Sequence, residues 1–359
     1  MVAVAGIAVF HTFQWTFQAV CISVPEYAPL AAFPYSGLLG FINLLGCWAN
    51  EVFFMISGYF LIASAARAWD GGATWKSQMQ RTAQRLGKVI MPTAFYCLVA
   101  LAWSTVVSPI PDVALNTHNW YTLGLEFIWV YAVFMAPWFG LARSRLPRKS
   151  YTATVIAVGI LAFVVNGYLA AMSATSAGEF SWLQKFMSAV TYVVAFMIGG
   201  LLRDVTDVMD SDRVGALGMR SLVTVLVLTI ILEGALSFTD NLTAMTILSY
   251  KSTSLISFAL AAACLLFAAT RRSASGNPRT AGVIVTLSTA TLGFYVMQSL
   301  TSSLWRPVFN TLLANILVSQ NSPVAIYIVT GTVISIVFAL ALLIIDAARS
   351  FIARKLKRQ

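Results

Sequence analysis

Asn50-Glu51-Val52-Phe53-Phe54-Met55-Ile56-Ser57-Gly58-Tyr59-Phe60 sits inside a long apolar run and carries an acid, Glu51, where hydrocarbon is expected. Apolar runs of about 18 residues or more are long enough to cross a bilayer as a helix. Such runs recur along the 359-residue chain, which is 59% hydrophobic and only 10% charged; an ordinary soluble domain has about 25% charged residues. In lipid the backbone must satisfy its own hydrogen bonds, which leaves helices or a closed barrel. The runs are continuous rather than alternating, and that selects helices. The expected fold is all-α: a polytopic integral-membrane bundle of about ten transmembrane helices, one unit over residues 1–359.

The spans are expected near 2–20, 37–65, 89–107, 120–142, 151–172, 186–202, 221–236, 254–270, 282–304 and 323–346. The net charge of +10 is confined to the segments between them. Of the 23 Lys and Arg residues, all but Lys185, Lys251 and Arg306 fall after even-numbered spans or in the C-terminal tail. Cytoplasmic loops carry the basic excess, so both termini are expected in the cytoplasm, with Arg306 in an outer loop. Basic charge spread in this way is no nucleic-acid footprint. Cys21, Cys47, Cys97 and Cys264 are scattered without a CxxC pair, and there are two histidines, so no metal site and no disulfide framework is expected.

His11 closes the first apolar run. An ionisable group inside a span is expensive and functional by default, and imidazole suits a general base or proton relay. Glu51 could orient His11 as an acid orients a catalytic histidine, or it could pair with a basic side chain for structural reasons. Glu126 falls near the outer end of the fourth span and Glu233 near that of the seventh. Arg81, Arg85 and Lys88 stand at i, i+4 and i+7, one helical face, just before Pro92. That face could hold the phosphates of a nucleotide-bearing donor, or be a solvated flank. Ser57-Gly58 lacks a nucleophile elbow and reads as a small pair that lets helices approach closely. His118 reads as an exposed loop residue.

Together these pieces resemble the membrane acyltransferase-3 family. Ile7-Ala8-Val9-Phe10-His11 is similar to the family's apolar run closing on histidine. Glu51 to Tyr59 resembles its acid, paired phenylalanines and Ser-Gly-aromatic. Arg85 and Lys88 before Pro92 resemble its basic pair leading to proline. Tyr121-Thr122-Leu123-Gly124-Leu125-Glu126-Phe127, running toward Pro137, is similar to a stretch that begins with tryptophan in the family. Leu292-Gly293-Phe294-Tyr295-Val296-Met297-Gln298 is similar to a late segment that usually ends in histidine, from which Gln298 departs. The family's histidine is normally preceded eleven positions earlier by an arginine. That position would be residue zero here, so either the natural chain begins further upstream, as is expected, or this member lacks the arginine.

The resemblance implies a single transmembrane acyltransferase domain. It would move an acyl group, expected to be acetyl, from cytoplasmic acyl-CoA to a hydroxyl of a cell-surface glycan, glycolipid or related acceptor, with no bound cofactor. It implies His11 and Glu51 as catalytic, Arg81, Arg85 and Lys88 as donor-binding, and Glu126 and Tyr295 as acceptor-binding or structural. The expected partners are the donor, the acceptor and the bilayer, with no nucleic acid, and the expected location is a bacterial cytoplasmic (inner) membrane. A transporter or flippase of a lipid-linked glycan, or a membrane scaffold without catalysis, is the alternative.

Overall fold

The computed structural model describes residues 1–107, 128, 137–173, 181–249, 253–270, 278–319 and 324–356. Among them there is no strand. The helices are α1 (Val2–Cys21), α2 (Ala28–Ala31), α3 (Tyr35–Asp70), α4 (Trp75–Val107), α5 (Trp138–Arg145), α6 (Arg148–Ser173), α7 (Ser181–Val208), α8 (Ser211–Phe238), α9 (Leu242–Leu248), α10 (Leu255–Thr270), α11 (Pro278–Thr289), α12 (Thr291–Leu300), α13 (Ser302–Val318) and α14 (Val324–Leu356).

Six helices among the described residues are long and apolar enough to cross a membrane, or eight if each of two bent pairs counts as one span. The expected fourth span lies mostly outside the described residues. The eighth, α10, has 16 residues. The ninth is the bent pair α11–α12, which turns by 45° at the break. The break has a local cause. Thr286, Ser288, Thr289 and Thr291 each turn a hydroxyl back onto the carbonyl three or four residues earlier. Such bonds compete with the helical ladder and bend it. Beyond the ninth span the expectation of a loop needs correction: the residues after 304 continue in α13, and Arg306 lies in its second turn.

The chain divides into two compact units. One comprises Met1–Thr12, Ala83–Val133 and Ser273–Gln359; the other comprises Phe13–Thr82 and Phe134–Arg272. The second unit is organised on α3. This helix has 36 residues, far more than the roughly 20 needed to span hydrocarbon. It meets α7 with the two backbones in near contact. A Cβ at Gly58 would lie 1.8 Å from the Phe196 carbonyl oxygen, and one at Gly199 would lie 2.0 Å from that of Met55. The Ser-Gly pair thus has the packing role read from the sequence, because small residues let membrane helices approach and gain van der Waals contact. Phe54 stacks on Tyr192 beside this crossing, with centroids 4.5 Å apart. At one end of the unit, Arg143 makes a forked pair with Asp204 (2.7 and 2.9 Å). That hydrogen bond moves the guanidinium pKa further up.

Lipid-facing surface is legible on α6. Ile160, Leu161 and Val164 point outward while Val155, Ala162 and Leu169 are buried. Apolar groups on both sides of one helix are tolerable only where the outer medium is also apolar.

In the first unit α12 lies close against α14. A Cβ at Gly293 would overlap the Asp346 side chain, so glycine is needed there. Asp346 is 1% exposed and accepts at Oδ1 from Tyr96 Oη and from Arg349 Nε, both at 2.7 Å. Trp305, Phe309 and Phe338 form a ring cluster between α13 and α14.

Candidate active site

On α1, Val4, Ile7 and Ala8 are buried at helical spacing, and His11 continues the same face at half burial. Its neighbour Thr12 bonds back to the Ala8 carbonyl and lies 2.8 Å from Ser335 Oγ on α14. The imidazole opens onto a recess of about 210 Å³ lined by His11, Tyr295, Gln298, Ser299, Ser302, Trp305 and Arg306.

All the lining residues beyond His11 come from one short stretch. Tyr295, Gln298, Ser299, Ser302, Trp305 and Arg306 fall at i, i+3, i+4, i+7, i+10 and i+11. That is one helical face, kept across the break between α12 and α13 at Thr301. The Trp305 indole donates to the Gln298 carbonyl at 3.0 Å, which pins the two helices at the break. The Arg306 guanidinium sits 5.5 Å over the Trp305 ring, and its Nη2 lies 3.2 Å from His11 Nδ1. A guanidinium, an imidazole, an amide and three hydroxyls thus converge on one recess of the first unit. Such a set binds and polarises oxygen-bearing groups.

Of the residues named from sequence, His11 and Tyr295 come together in this recess, and Gln298, read as a departure from the family pattern, joins them. Arg306 was missed as a site residue. The signal that could have found it is the polar face running from Tyr295 at helical period through a presumed loop.

Glu51 lies in the other unit, fully buried on α3. Ser257 stands beside it, but that hydroxyl donates to the Ser254 carbonyl, and neither Glu51 oxygen has a hydrogen-bond partner among the described residues. Glu233 is likewise buried without a partner there, against Gly40, so it is no solvated interfacial acid. Where an orienting carboxylate would meet His11, at Nδ1, Arg306 is the partner.

Arg81, Arg85 and Lys88 share a face of α4, with Arg81 and Lys88 exposed and Arg85 half-buried. The helix continues through Pro92. Glu126 and His118 lie outside the described residues. Among the described residues no cluster could hold a metal ion, and the four cysteines are free thiols.

Long apolar helices, six to eight of them span-length among the described residues, define a polytopic membrane protein. The profile of the acyltransferase domain, acyltransferase-3, matches residues 1–344, and the chain belongs to that family. It is therefore a membrane acyltransferase that transfers groups other than aminoacyl groups. No curated protein and no solved structure matches it.

Proposed function

We propose that this chain, acting as one acyltransferase domain, transfers an acyl group, acetyl in the simplest case, from cytoplasmic acyl-CoA to a hydroxyl of a cell-surface glycan, glycolipid or related acceptor. The single observation carrying this reading is the recess that joins His11 to Tyr295, Gln298, Ser299, Ser302 and Arg306. His11 is the catalytic group. Tyr295 contributes to acceptor binding, and Glu126 binds the acceptor or braces the bundle. Glu51 is the second catalytic residue. The cationic face of Arg81, Arg85 and Lys88 holds the donor's phosphates, since cationic forks and ammonium groups suit them. That face lies cytoplasmic by the distribution of basic residues, where acyl-CoA is available. Both termini share that side, and the membrane is the bacterial cytoplasmic one.

Transport of a lipid-linked glycan would be favoured by broken spans in matching halves of the chain. The two bent pairs differ in kind, a 110° turn after α1 and a 45° kink at α11–α12, and membership of an acyltransferase family favours bond formation.

The test is mass spectrometry of surface glycans and lipids from cells with the gene intact, deleted, or carrying His11→Ala. Loss of one acyl ester in both the deletion and the mutant is expected. An ester unchanged in both, with the protein well expressed, overturns the reading.

A further inference from the structure

The contact between Arg306 and His11 decides which form of the imidazole the recess receives. A guanidinium carries five N–H donors, has no acceptor and does not lose its proton in proteins. At 3.2 Å from Arg306 Nη2, His11 Nδ1 must therefore be the acceptor. A neutral imidazole has one donor and one acceptor nitrogen, so the proton resides on Nε2. In a catalytic triad the polarity is opposite: an acid accepts from Nδ1–H and leaves the Nε2 lone pair free to take a proton. The arginine is itself restrained. It packs over Trp305, whose ring is buried against Phe309 and Phe338 and tied to the Gln298 carbonyl.

We propose that Arg306 is a positioning residue that holds His11 as its Nε2–H tautomer, so that His11 enters the transfer as a hydrogen-bond donor to the carbonyl oxygen of the acyl group and not as the base that takes the acceptor's proton. This rests on the acyl-transfer reading of the recess. In the transfer the acceptor oxygen adds to the thioester carbonyl carbon. The new C–O bond forms, the C–S bond breaks, and the acceptor's proton passes to the departing sulfur. His11 keeps its own proton, its Nε2–H resting on the oxygen where negative charge develops. A neutral donor preorganised at that oxygen stabilises the transition state without a proton transfer of its own.

The test uses the full chain in lipid nanodiscs, labelled with ¹⁵N-histidine and carrying His118→Gln so that His11 alone reports. The ring-nitrogen spectrum separates the two tautomers and the imidazolium. Nε2–H is expected at neutral pH. An Nδ1–H or imidazolium spectrum overturns the inference, whether or not the chain transfers acyl groups. Arg306→Met should shift the Nδ1 signal and lower kcat for acyl transfer about 100-fold, the scale of one lost oxyanion donor, with KM for acyl-CoA little changed. Arg306→Lys, which keeps a donor, should recover part of both. An unchanged kcat in Arg306→Met overturns the role. Should that variant not fold, the spectrum of the arginine-containing chain still decides. An Nε2–H tautomer in a chain that forms no ester under any condition counts against the acyl-transfer reading instead.

Discussion

Asp346 shows what a single buried charge does here. It is almost fully enclosed, and its Oδ1 collects hydrogen bonds from Tyr96 and Arg349. Removing one member of a buried ion pair strands the other and costs about 3 kcal/mol. Asp346→Ala should therefore lower the thermal midpoint in detergent more than Tyr96→Phe, which deletes one hydrogen bond to a charged acceptor, about 1.5 kcal/mol. Equal midpoints would show that the cluster is not the brace its geometry describes. Glu51 is the opposite case, an enclosed carboxylate without hydrogen-bond partners among the described residues. Glu51→Gln keeps its shape, so stability should change by less than about 1 kcal/mol. If Glu51 takes part in the chemistry, acyl transfer in that variant should fall at least about tenfold at unchanged midpoint, a difference of about 1.4 kcal/mol in the barrier. Glu51 was visible in the sequence as a charge out of place; the buried, paired state of Asp346 was not, because pairing joins residues as far apart as Tyr96 and Asp346.

At the scale of elements, two close approaches hold helices together. α3 and α7 cross where Gly58 and Gly199 each face a backbone carbonyl. A methyl group at either site cannot be accommodated by moving a flexible side chain, so the helices must separate. Gly58→Ala should destabilise by about 1–3 kcal/mol or more, read as a lower thermal midpoint and faster proteolysis. A neutral result would mean the crossing is looser than the two carbonyl contacts require. Gly293→Ala meets a side chain instead, that of Asp346, and should disturb the Tyr96–Asp346–Arg349 cluster along with the α12–α14 contact. Most of the helices were legible as apolar runs, since span length and hydropathy follow from residue transfer energies alone. The break between α12 and α13 was not. It separates two helices that keep one polar face in register, and an apolar run followed by Arg306 and Pro307 reads equally well as a span running into a loop.

For the whole molecule, the distribution of Lys and Arg argues that both ends face the cytoplasm. A green fluorescent protein fused after Gln359 should fluoresce in cells, and alkaline phosphatase fused at the same place should be inactive. The reverse pattern would overturn the orientation and, with it, the placing of Arg81, Arg85 and Lys88 on the donor's side. The class of fold, the membrane and the family follow from composition, run length and a few ordered motifs, because each is a property of residues near one another in the chain. The partner of His11 is a different kind of fact. Arg306 stands 295 positions away, and at the level of sequence it counts as one more loop charge. Only the packing of the first unit brings its guanidinium to Nδ1, because hydrogen-bond geometry depends on where helices lie in space and not on their order along the chain.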